Sequence, residues 1–136
     1  MKVALDTNVI VSGLLKPFGA PGEIIRMTSA GILEICYDAR ALAEYREVLL
    51  RPRFPFDEDH VDVLLEQIKG AGHNTVGQPL TKRLPDPTDE VFLEIALAAK
   101  ARCLITGNLK HYPSDKRQGV KVLSPSEFLD FYRKND

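Results

Sequence analysis

Short apolar runs and helical periodicities take turns along this chain. Residues 2–5 form an apolar run too short for a helix that stops at Asp6, and residues 9–15 follow with helical spacing behind Thr7 as the expected N-cap. Pro17, Gly19, Pro21 and Gly22 punctuate a loop, and Pro21 suits the first turn of a second helix that carries Ile24, Ile25 and Met27 until Gly31. Residues 32–36 read as a second strand. Asp38 caps the next helix, whose apolar positions Ala41, Leu42, Tyr45, Val48 and Leu49 keep the 3.6 period up to Pro52. A further helix opens at residues 57–59 and repeats Val61, Leu64, Leu65 and Ile68 before Gly70.

Residues 70–84 hold three glycines and a proline without periodicity, so they read as a loop. A helix then starts at Asp86-Pro87-Thr88-Asp89 and runs through Ala101, followed by a strand at 103–106, a loop at 107–119 and a strand at 120–123. Ser124-Pro125-Ser126-Glu127 is a capping box that opens a C-terminal helix bearing Phe128, Leu129 and Tyr132. Four apolar strands separated by helices predict an α/β fold: a three-layer α/β/α sandwich on a mainly parallel sheet. One core and one domain, residues 1–136, are expected, because neither half is large enough to bury a core alone.

In such sheets the working crevice lies beyond the carboxyl ends of the strands, where strand order reverses. Asp6-Thr7-Asn8 leaves the first strand and Thr106-Gly107-Asn108 the third. A carboxylate at the end of a buried strand is costly without a cation or donors, so Asp6 calls for partners; capping the next helix is the simpler role open to it. Asp86 before proline is an N-cap arrangement and Asp89 complements the helix dipole, yet Asp89 shares a face with Phe92, Leu93 and Ala96, the side facing the sheet. Glu44, flanked by Arg40 and Glu47, reads by itself as a solvated helix residue. Together, these carboxylates with an Asn and a Thr, and no convincing His or Cys set, suit a hard cation such as Mg2+ or Mn2+.

Charge narrows the classes. Eighteen Lys and Arg against nineteen Asp and Glu give a net charge of -1, which excludes the broad basic field of a strong nonspecific nucleic-acid binder. Cys36 and Cys103 lie inside apolar runs without zinc spacing and read as buried free thiols, which fits a reducing compartment. No apolar run is long enough to span a bilayer and Asp6 interrupts any signal-peptide core, so a cytoplasmic protein is expected.

Three ordered segments, LDTNVIVSGLL, AEYREVLLRPRF and DPTDEVFLEIALAAKARCLITGNLKHYP, resemble PIN-domain proteins, in particular the bacterial and archaeal branch of toxin components of toxin–antitoxin pairs. The resemblance spans essentially the whole chain. It implies a PIN-like fold and a ribonuclease dependent on Mg2+ or Mn2+, with a cognate antitoxin and a second copy of the chain as partners besides RNA. Asp6 matches the first acid of the family, Glu44 the acid of its E-Y segment and Asp89 the acid heading the helix before the TG segment. These three are the implied catalytic residues and metal ligands, with Asp86 assisting and Asn8 and Thr106 supporting. Asn108 stands where many relatives carry Asp, so it enters as a neutral oxygen ligand and weakens a second ion site.

An anionic substrate approaching this cluster needs positive charge around it. Arg51, Arg53 and Lys110 are the leading RNA contacts, ahead of Lys82, Arg83, Lys116 and Arg117. His60 and His73 read as surface or loop residues, whereas His111 follows the site loop. Phe54 and Phe56, in a Pro-rich segment, are expected to be exposed and to favour a homodimer. Two other readings remain at this point. A haloacid-dehalogenase-like phosphotransferase would use Asp6 as nucleophile but wants a second acid where Asn8 stands; a non-catalytic PIN-like module would bind RNA or protein without cutting.

Overall fold

The computed structural model describes residues 1–135. Five parallel strands form one sheet in the order β3-β2-β1-β4-β5. They are β1 (Lys2–Leu5), β2 (Glu34–Tyr37), β3 (His73–Asn74), β4 (Cys103–Ile105) and β5 (Val122–Leu123). Among the described residues, the six helices are α1 (Thr7–Leu15), α2 (Ala20–Ser29), α3 (Ala39–Leu49), α4 (Glu58–Ala71), α5 (Pro87–Ala99) and α6 (Pro125–Lys134). Val3, Ala4 and Leu5 of β1 and Cys103, Leu104 and Ile105 of β4 are all inaccessible. Successive strand residues point to opposite faces, so both faces are covered and the three-layer α/β architecture follows.

Most boundaries agree with the apolar pattern to within two residues. The capping box at Ser124 is complete, and Asp38 accepts a hydrogen bond from the Ala41 N–H at 3.0 Å. Three differences have physical causes. The sheet has a fifth strand, β3, inside the region expected to be a loop. His73 and Asn74 are polar and carry no strand signal, and they are strand only because they pair with Cys36 and Tyr37 at the edge of β2. Gly72 permits that approach, since a Cβ there would lie 2.5 Å from the Ile35 carbonyl oxygen. Helix α5 stops at Ala99, because Lys100 takes a left-handed conformation (φ 54°) that turns the chain into β4. The expected loop at 107–119 contains two 3-10 turns, Leu109–His111 and Ser114–Lys116.

The chain passes from β1 outward through β2 to β3 and then returns to β4 on the other side of β1. Strand order therefore reverses between β1 and β4, and the residues leaving those strands, Asp6 and Thr106, meet at the carboxyl edge of the sheet. Cys36 and Cys103 are buried and reduced, and burial pushes their thiols up to about 11 and about 12. Among the described residues, no helix is long and apolar enough to cross a membrane.

Candidate active site

Asp6, not Thr7, occupies the N-cap of α1, and its side chain makes no capping bond. The carboxylate is drawn the other way. Its Oδ2 accepts from the Thr106 hydroxyl at 2.9 Å, the Tyr112 hydroxyl at 3.2 Å and the Asn8 side-chain amide at 3.4 Å. The Asp6 N–H still donates to the Ile105 carbonyl at 2.9 Å, which continues the ladder between β1 and β4 and fixes the backbone. Asp6 is 5% exposed. Burial raises its pKa, and the Thr106 and Tyr112 hydroxyls pull against that rise.

Each neighbouring acid is held by its own device. Tyr45 is fully buried and donates to the Leu5 carbonyl at 2.6 Å, which pins α3 beside the end of β1 and brings Glu44 to the same edge. Thr7 donates to Glu44 Oε2 at 2.5 Å. Burial raises the Glu44 pKa, partly offset by that bond and reinforced by the charge of Asp6. Asp89 sits in the first turn of α5, buried on the face it shares with Phe92, Leu93 and Ala96. Its pKa is pushed up to about 6, first by burial and then by the charge of Asp6, with His111 pulling it down. Asp86 is exposed and caps α5, its Oδ1 accepting the backbone N–H and hydroxyl of Thr88 at 3.0 and 2.8 Å. The two bonds hold its carboxyl below the usual range.

Asp6, Asn8, Glu44, Asp86, Asp89 and His111 line one open cleft of about 430 Å³, whose wall also includes Arg51, Arg53 and Phe54. Thr106 and Asn108 stand behind this lining. The Asn108 N–H donates to Thr106 Oγ1 at 3.1 Å, and its side-chain amide meets His111 Nε2 at 2.9 Å. The Gly107 N–H donates to Asn8 Oδ1 at 2.9 Å, an approach glycine favours because a Cβ would lie 3.2 Å from that oxygen.

The basic residues divide. Arg51 and Arg53 border the cleft, Arg51 paired with Glu47 at 2.9 Å and the Arg53 guanidinium 4.9 Å from the Phe54 ring centre. Lys110 is exposed on the turn behind and does not line the cleft. Arg83 makes two bonds to Glu90, and Arg117 donates to the Tyr112 carbonyl at 2.8 Å, so both fasten loops in this structure. Tyr112 escaped the sequence reading. An aromatic residue in a glycine- and proline-bounded loop carries no periodic signal, yet it is inaccessible and its hydroxyl bridges Asp6 and the Asp89 carbonyl at 3.2 and 3.3 Å.

The donor set is oxygen-rich and its charge is uncompensated. Among the described residues, no Lys or Arg forms an ion pair with Asp6, Glu44, Asp86 or Asp89. Asp89 Oδ2 is buried; His111 Nδ1 lies 3.2 Å away, but its N–H is not aligned to complete a hydrogen bond. Among the described residues there is also no preformed group of three His, Cys, Asp or Glu side chains around one point. Such a set fits a Mg2+-like ion held by one or two carboxylates that keeps several of its own waters, rather than a closed cage.

A family model described as PIN domain matches residues 2–110, which include Asp6, Glu44, Asp86, Asp89, Thr106 and Asn108. No curated protein matches the chain.

Proposed function

We propose that this chain, which belongs to the PIN-domain family, is a divalent-metal-dependent endoribonuclease that hydrolyses RNA phosphodiester bonds, as the toxin component of a toxin–antitoxin pair in the cytoplasm. PIN domains are in general nucleases that bind RNA and typically use divalent metals. The observation that carries the reading is the shared cleft: Asp6, Glu44 and Asp89 come from distant segments and line it together, and among the described residues no Lys or Arg pairs with any of them.

Asp6 and Asp89 would hold Mg2+ or Mn2+, with Glu44 as a further ligand or a hydrogen-bond acceptor for water and Asp86 assisting from the rim. A bound ion lowers the pKa of a coordinated water and offsets negative charge on the phosphate. Thr106, Tyr112 and Asn8 keep the Asp6 carboxylate aimed, and Arg51 and Arg53 offer the cleft its nearest positive charge to a phosphate backbone. Lys110 would reach only RNA that extends past the cleft.

The test is cleavage of end-labelled structured and unstructured RNA by the purified protein. Cutting that needs Mn2+ or Mg2+ and stops on chelation is the expected result. Ion binding without cleavage of either RNA would reject the nuclease in favour of a binding module. A cognate antitoxin is sought by co-purification with the product of an adjacent small gene.

A homodimer belongs to the same proposal, on a different footing from the sequence reading. Phe54 and Phe56 are half-buried and stack on each other at 5.5 Å. Phe18 is instead 98% exposed, and Leu14, Ile25, Phe56, Val61 and Leu64 line an apolar groove of about 590 Å³ away from the acidic cleft. Sedimentation is expected to show a dimer at micromolar concentration. A monomer at every concentration would exclude it.

A further inference from the structure

We propose that Asn108 and His111 form a positioning pair for Asp89: the Asn108 amide fixes the imidazole tautomer, and the imidazole Nδ1–H steers the Asp89 carboxylate. This rests on the ion-binding reading of the cleft and reassigns Asn108 from ion ligand to support.

The 3-10 turn Leu109–His111 begins with Asn108 at its N-cap, and the His111 N–H donates to the Asn108 carbonyl at 3.2 Å. That bond closes the turn and brings the Asn108 and His111 side chains within reach of each other. Although the His111 side chain is 44% exposed, both its ring nitrogens face residues at the cleft: Nε2 meets the Asn108 amide at 2.9 Å and Nδ1 stands 3.2 Å from Asp89 Oδ2.

For a neutral imidazole beside an ionised Asp89, hydrogen-bond polarity leaves one consistent arrangement. An ionised carboxylate only accepts, so the ring proton belongs on Nδ1; a neutral imidazole then accepts at Nε2, and Asn108 must present its NH2. A small rotation of ring or carboxylate would complete the unaligned Nδ1–H contact, after which one Asp89 oxygen is tethered and the other is left to an ion. Such outer partners orient a ligating carboxylate as they do a ligating histidine. Asn108 serves the other acid too. Its backbone N–H occupies Thr106 Oγ1, which commits the Thr106 hydroxyl proton to Asp6. One residue thus ends two polar chains, one reaching Asp6 and one reaching Asp89. An Asp at position 108 would accept where Asn108 donates, so Asn108→Asp should reverse the tautomer.

Long-range 1H–15N correlation spectra of the metal-free protein above neutral pH read the tautomer directly. The expected result is His111 protonated on Nδ1, against the usual preference of free histidine for Nε2, with the Nε2–H form gaining in Asn108→Ala. A predominantly Nε2–H ring in the native protein, or an unchanged ring in Asn108→Ala, would overturn the proposal. Calorimetric titration with Mg2+ is expected to show His111→Ala binding about 10- to 100-fold more weakly while melting as a folded protein. Native affinity in that variant would also overturn it. The two readings fail separately. A chain that binds no Mg2+ or cuts no RNA refutes the nuclease while the tautomer still decides the pair, and an Nε2–H ring in an active enzyme refutes the pair alone.

Discussion

Asp6→Asn is expected to lower divalent-dependent RNA cleavage on the order of a thousandfold or more and to raise the melting temperature of the metal-free protein. Both effects follow from one placement. The Asp6 carboxylate is buried at the end of β1, its pKa is raised by burial, and it adds to the cost of ionising Glu44 and Asp89. An Asn side chain keeps a carbonyl oxygen to accept from Thr106, Tyr112 and Asn8, so the network can survive while the charge disappears. Without metal, loss of that charge is a gain of about 1 kcal/mol or more, seen as several degrees in a thermal melt. With metal, the same change removes a proposed ligand, so added Mg2+ should stabilise the variant less than the native protein. Asp86→Ala supplies the contrast. Asp86 is an exposed cap bonded to Thr88 that reaches the cleft only at its rim, so its loss should cost about 1 kcal/mol of stability and lower turnover far less than loss of Asp6 does. Native turnover of Asp6→Asn at saturating Mn2+ would remove Asp6 from the active site.

The contrast between Asp6 and Asp86 also shows what a linear sequence can convey. Local signals were legible because local physics decides them. The short apolar run ending at Asp6, the Asp-Pro cap before α5 and the Ser124 capping box each depend on residues within one turn. The apolar stripe of α5 was enough to turn Asp89 inward. Glu44 was the harder case. In isolation it reads as solvated; what brings it to the site is Tyr45 reaching the Leu5 carbonyl, a bond forty residues long in sequence. The buried acids Glu90 and Glu94 also escaped notice, since the arginines that satisfy them, Arg83 and Arg40, come from a loop and from another helix. Strand β3 and Tyr112 were illegible for a similar reason, because each is fixed by tertiary partners and neither by its own neighbours. The acids that line the cleft are thus readable from pattern and family resemblance, whereas most of the groups that hold them in place are not.

The metal-free protein is expected to lose stability as pH rises from about 4 to about 7, a slope opposite to that of ordinary ion-paired carboxylates. Asp89 has a folded-state pKa of about 6 against 3.8 for an unperturbed Asp, raised first by burial and then by the charge of Asp6, and opposed by His111. A raised folded-state pKa means that the native protein binds the proton more tightly than the unfolded chain does. That stabilisation is complete below the unfolded value near 3.8 and is lost as pH climbs through about 6. Asp6 and Glu44 shift in the same direction and deepen the slope. Asp86 and Glu90 work in the opposite sense. Thr88 holds the carboxyl of Asp86 low and Arg83 that of Glu90, so they destabilise the fold only as pH falls through and below the ordinary carboxylate range. The two windows therefore meet near pH 4 without cancelling above it. Discounted for solvent screening at the open cleft, the Asp89 contribution is on the order of 2 kcal/mol, roughly 5–10 °C of melting temperature for a chain of this size. Saturating Mg2+ should abolish the decline, because it binds the ionised carboxylates and favours the folded state most where they are deprotonated. Thermal melts from pH 4 to 8, with chelator and with Mg2+, on the native protein and on Asp89→Asn, measure this directly. A native protein whose stability rises across that range without metal, or an Asp89→Asn variant with the same slope as the native protein, would show that Asp89 does not carry the uncompensated charge on which the proposed ion site depends.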